Sequence, residues 1–62
     1  MSVATVGYVH EEIAECLLLL GQREPARSHF ALAFEALSMD PWLQADESSR
    51  LARLKRLGSQ AG

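Results

Sequence analysis

The chain lacks the usual means by which very small domains hold themselves together. It has one cysteine, Cys16, so no disulfide can close within it. A lone thiol also fits a reducing setting better than a secreted one. His10 and His29 are the only histidines, and their spacing with Cys16 matches no zinc pattern. No metal and no cofactor is therefore expected. A chain of 62 residues buries only about 60% of its unfolded surface. Chains of this size that fold well lean on disulfides, a metal or a partner. With the first two set aside, a partner chain is the expected support.

Other absences narrow the function. The stretch from Met1 to Gly7 carries no positive charge and no cleavage-site pattern, so it does not read as a secretory signal. The apolar run from Ile13 to Leu20 contains Glu15 and falls far short of the roughly 20 residues that cross a bilayer. The sequence reads as soluble and cytoplasmic, with no membrane partner. There is no glycine-rich phosphate loop, and no serine, threonine or cysteine has a recognisable base partner. His10-Glu11-Glu12 does not complete an HExxH motif, because Ala14 stands where the second histidine would. No catalytic residue is expected, and the chain does not read as an enzyme. His10 fits a solvated helix start and His29 a half-exposed position. Cys16 fits a small buried hydrophobe.

Charge is scarce in one sign over most of the chain. Through Glu47 it holds all eight acids and only Arg23 and Arg27 as bases; from Ser48 onward it holds Arg50, Arg53, Lys55 and Arg56 and no acid. The net charge of −2 discourages a nucleic-acid reading. The asymmetry favours a basic helix packed across an acidic one, in the same chain or in a second copy. Arg50, Arg53, Lys55 and Arg56 form the candidate docking patch for an acidic partner. The alternative is a small regulator whose basic third helix contacts nucleic acid.

What is present is helical periodicity. A tail over 1–7 precedes a first helix over 8–20, where Val9, Ile13, Cys16, Leu17 and Leu20 recur on one face. Leu18 and Leu19 widen that stripe beyond what one partner helix covers. Gly21 stands where a left-handed residue closes a helix. Pro25 suits the first turn of a second helix over 24–38, with Ala26, Phe30, Ala33 and Leu37 facing the core and Phe34 beside them. So short a connection makes the two helices antiparallel neighbours. Asp40-Pro41 reads as a cap and first residue of a helical turn, with Trp42 and Leu43 as the lid on the hairpin's open end. A third helix follows over 46–57, capped by Asp46 and stopped at Gly58, with Leu51, Leu54 and Leu57 on one side. Residues 58–62 read as a disordered tail. The expected fold is one small all-α domain, an antiparallel helical hairpin plus a shorter third helix.

These features resemble a tetratricopeptide repeat. His10, Ile13, Ala14 and Leu17 stand at the positions of the W-x2-L-G-x2-Y part of that pattern, and Ala26 and Phe30 satisfy its A-x3-F part. The four letters of the first part all differ, but Ile, Ala and Leu keep its large–small–large order. The final proline should fall near Ser38, and Pro41 comes about one turn later. The likeness covers one repeat, from Tyr8 to Pro41, with the third helix placed like a cap. The resemblance implies a module that binds proteins or peptides. Such repeats need about three copies for stability, so a single one implies association that completes the stack.

The function expected from the sequence is a non-enzymatic protein–protein interaction module that self-associates, a dimer being favoured, through helix one. The residues placed at that interface are Val9, Ile13, Leu17, Leu18 and Leu20, with Trp42 as an aromatic anchor. A further alternative is a subunit of a larger helical-repeat assembly.

Overall fold

The computed structural model describes residues 2–59, over which the chain is all-α. The helices are α1 (Val3–Leu19), α2 (Arg23–Ser38), α3 (Pro41–Asp46) and α4 (Ser48–Ser59). Helix α1 begins five residues earlier than its periodicity suggests. The cause is Ser2, an extended residue whose Oγ accepts a hydrogen bond from the Thr5 amide at 3.2 Å. A capping serine satisfies an amide that would otherwise lack a partner in the first turn. It carries the helix through Val3 to Gly7, in place of the tail expected over 1–7; Met1 lies outside the described residues.

The α1–α2 turn follows from Gly21. Its φ of +78° is a conformation L side chains rarely adopt. The Gln22 amide donates to Leu17 O at 2.9 Å and the Gly21 amide to Leu18 O at 3.0 Å. This pair of bonds is the Schellman closure, and it satisfies two of the last carbonyls of α1. At the next turn, Asp40 Oδ1 accepts from the Trp42 amide at 3.0 Å, and Pro41 opens α3 where its missing N–H costs nothing. Gln44 Nε2 reaches back to Ser38 O and ties this turn to the end of α2. Asp46 is the last residue of α3 and not the cap of the next helix; α4 starts at Ser48.

Helices α1 and α4 both pack on α2. Helix α2 is therefore in the middle, between α1 and α4. The molecule measures 32 × 23 × 14 Å. The core is Ala14, Ala26, Phe30, Ala33, Leu37, Leu51 and Leu54, flanked by Ala4, Leu17, Phe34, Leu43 and Leu57. The four α2 positions expected to face inward are all buried. Phe30, Leu37 and Leu54 are the largest fully enclosed side chains, and each contributes about 1.5–3 kcal/mol of burial. Three of the seven core residues are alanines, so close helix approach replaces bulk.

Two glycines set that approach. A Cβ on Gly7 would fall 2.6 Å from Leu37 Cγ, and one on Gly58 would fall 2.8 Å from the backbone of Ala31. Gly58 is therefore not the stop of the last helix. It lets α4 lie against α2, and the helix continues through Ser59. Of the tail expected over 58–62, residues 60–62 lie outside the described residues.

Candidate functional site

Helix α1 docks through the opposite side from the one its large residues suggest. Its buried residues are Gly7 and Ala14, with Ala4 and Leu17 packed at the core edge. Small residues at i, i+3, i+10 let the helix lie close to α2, and close approach fixes which face turns inward. The large apolar residues then point away. Val6, Val9, Ile13, Cys16 and Leu20 are separated by three, four, three and four residues, the spacing of a coiled-coil seam. Val6 is 37%, Val9 45%, Ile13 39% and Leu20 72% exposed. Cys16 is also exposed, so it is not the buried hydrophobe expected from the sequence.

The other residues placed at the interface separate. Leu18 is 40% exposed, on the side of α1 nearer α2. Leu17 packs against the core edge and offers only part of its surface. Trp42 is 76% exposed and does not cover the open end of the hairpin; Leu43 alone packs there. Next to that end lies a shallow, mainly apolar groove of about 310 Å³. It runs between the start of α1 (Ser2, Val3, Ala4) and the α2–α3 turn (Ala36, Met39, Asp40, Pro41).

The charge asymmetry resolves mostly within the chain. Arg53 pairs with Glu15 at 2.7 Å, and Arg50 with Glu11 at 3.2 Å and Glu47 at 3.5 Å. Arg53 also lies over the Phe30 ring at 5.9 Å, and Arg50 over the Tyr8 ring at 5.2 Å. Tyr8 donates its hydroxyl to Glu47 at 2.9 Å. That bond to a carboxylate pushes the Tyr8 pKa up, desolvation and the Glu47 charge add to it, and Arg50 pulls the other way. The basic helix thus pairs with the acidic one in the same chain through side chains that reach past α2. Half of the docking patch is engaged in this way. Lys55 and Arg56 are exposed and make no ion pair among the described residues.

The two histidines, nineteen positions apart in sequence, meet between α1 and α2. His10 Nδ1 and His29 Nδ1 are 2.9 Å apart, and the rings stack with centroids 5.1 Å apart. Both side chains are half-buried. His10 is therefore not on a solvated helix start; the cap at Ser2 starts the helix about two turns before His10. Among the described residues, no group of three or more His, Cys, Asp and Glu side chains converges as a metal site. No helix is long and apolar enough to cross a membrane.

Sequence reasoning missed the histidine pair because it depends on the angular offset of two helices. It also missed Val6, the first residue of the seam, although the three–four spacing was there to be read once the helix extended to Val3. Compared with known proteins, the chain matches no family model, no curated protein and no solved structure.

Proposed function

We propose that the protein is a non-enzymatic interaction module, built like a single tetratricopeptide hairpin with a capping helix, that self-associates through α1. The observation that carries this reading is the exposed seam of Val6, Val9, Ile13, Cys16 and Leu20 on an edge helix. Five apolar residues in heptad register on the outer side of an edge helix leave an apolar stripe without a partner in the chain. A second copy presents the same stripe, and two such stripes pack knob into hole about a two-fold axis. A standard interface takes about 800 Å² from each partner, about a fifth of the 4259 Å² this chain exposes. Leu19, 88% exposed, adds apolar surface beside the seam. The tetratricopeptide likeness is supported by the small residue Ala14 buried with Ala26 and Phe30 in one cluster.

The test is the molar mass of the full chain by light scattering after gel filtration, with circular dichroism on the same fractions. A helical dimer is expected, and Ile13→Glu should convert it to a helical monomer. A wild-type chain that is monomeric at every concentration, or an Ile13→Glu variant that stays associated, overturns the proposal.

A further inference from the structure

The geometry points to a transition-metal site at the His10–His29 pair, with the two Nδ1 atoms as cis ligands of one divalent ion. The 2.9 Å separation is what makes the pair suitable. Imidazole nitrogens bind such ions at about 2.0–2.1 Å. Two of them at a right angle about the ion then lie about 2.8–3.0 Å apart, by simple trigonometry on that bond length. The pair already stands at that distance. A tetrahedral ion such as zinc asks for about 3.3–3.4 Å on the same arithmetic, and the helices would have to part slightly. Tetragonal ions with nitrogen and oxygen donors, Cu(II) and Ni(II), match that separation, and each ring, which now aims its Nδ1 at the other across a 5.1 Å centroid distance, turns in its own plane to aim it at the ion. Water completes the coordination, since no third His, Cys, Asp or Glu converges there among the described residues.

The proton balance is simple. In the metal-free pair, one Nδ1 carries the hydrogen and the other accepts it. Binding needs both Nδ1 lone pairs, so the donor ring gives up its Nδ1 hydrogen and takes one at Nε2. Two neutral rings bind the ion with no net proton release. Protonated rings must first lose theirs, so acid competes with the metal.

The consequence is a link between α1 and α2. One histidine comes from the middle of each helix, so an ion held by both ties the hairpin together. That is the kind of staple small domains need and that a single cysteine cannot supply. The site does not rest on self-association, because both ligands belong to one chain.

The test is calorimetric titration of Ni(II), chosen because it does not oxidise thiols as Cu(II) does, into the full chain carrying Cys16→Ser. One ion per chain is expected, with a rise in the thermal midpoint. His10→Gln and His29→Gln should each weaken binding by about tenfold or more, because the second donor no longer acts at high effective concentration. Equal affinity in either variant, or one ion per two chains, overturns the proposal. A readout that needs no variant is the paramagnetic broadening of imidazole signals in the Cys16→Ser chain. His10 and His29 should broaden first and together, and broadening that begins elsewhere overturns the site.

Discussion

Gly7 and Leu37 are packed so closely that a single carbon added to Gly7 would lie 2.6 Å from Leu37 Cγ and 2.8 Å from its Cδ2. Leu37 is fully enclosed and has no free direction in which to move. A glycine inside an exposed helix normally costs about 1 kcal/mol against alanine, so Gly→Ala there stabilises. At Gly7 the sign should reverse. Overpacking of a filled core costs about 1–3 kcal/mol and outweighs the propensity gain. Gly7→Ala should lower stability by about 1 kcal/mol, which for a domain this small is about 4–8 °C in the thermal midpoint. Unchanged or higher stability by calorimetry would mean the helices are free to part.

Gly58 is the stricter case. The atoms facing its missing Cβ are the Ala31 nitrogen and Cα, both at 2.8 Å. A backbone does not rotate aside as a side chain does, so α4 would have to shift as a body and uncover Leu51 and Leu54. Gly58→Ala should therefore cost more than Gly7→Ala, about 2 kcal/mol. Gly21→Ala makes the third point of comparison. Nothing lies within 4 Å of its missing Cβ, but its φ is +78°. Its cost should be about 1 kcal/mol, entirely from backbone conformation. Chemical denaturation of the three variants tests this order.

The ion pairs between α1 and α4 should differ in weight. Arg53 and Glu15 are 44% and 41% exposed, and exposed pairs contribute at most about 1 kcal/mol. Arg50 meets Glu11, which is only 16% exposed, as well as Glu47 and the Tyr8 ring. Removing its charge leaves a largely covered carboxylate without its cation. Arg50→Ala should destabilise the fold more than Arg53→Ala, and 1 M salt should shrink the Arg53 effect more. An equal loss for both, by urea denaturation at low and high salt, would mean that Arg50 acts as an ordinary surface charge.

How much of this was legible in the sequence depends on the kind of residue. Helix α2 was readable almost to the residue, because Phe30 and Leu37 are large, stand alone on their face and must be buried. The all-α class and the left-handed Gly21 were readable for similar local reasons. Helix α1 misled, because it carries more large apolar residues than the molecule encloses. Size put Val9, Ile13 and Cys16 on one apolar face and suggested burial for Cys16, while close packing selected Gly7 and Ala14. Burial per residue favours the first choice; the area of backbone brought together favours the second. The same preference for close approach turned Gly58 from a stop signal into a contact. The charge asymmetry was legible as a tendency to pair, but which base meets which acid was not, because helix length alone does not set the crossing of α4 over α2.

Tyr8 gives the fold an alkaline dependence whose sign follows from its partner. Its hydroxyl donates to the Glu47 carboxylate at 2.9 Å, and that bond pushes its pKa above the ordinary tyrosine value. The folded state thus holds the proton more tightly than the unfolded chain. The stabilisation is fully present below the unfolded value of about 10 and is lost as pH rises through the higher folded one. Tyr8→Phe should be less stable than wild type at neutral pH and should converge with it under alkaline conditions. Guanidinium denaturation at several pH values distinguishes this from a mere packing loss, which would leave the gap constant.

Cys16 reports on the seam without any substitution. Its thiol is exposed in the single chain and stands in register with Val9, Ile13 and Leu20 on the outer side of α1. If two copies pair along that stripe, each covers the other's thiol, and only the dissociated chain reacts. Modification by a thiol reagent should then slow as protein concentration rises, in proportion to the fraction of free chain. The Ile13→Glu variant should react quickly at every concentration, because a carboxylate buried opposite an apolar partner costs several kcal/mol and prevents pairing. A wild-type rate that does not change from low to high micromolar concentration would overturn pairing along that stripe. A rate that falls with concentration in both chains would mean the copies meet over Cys16 but not through Ile13.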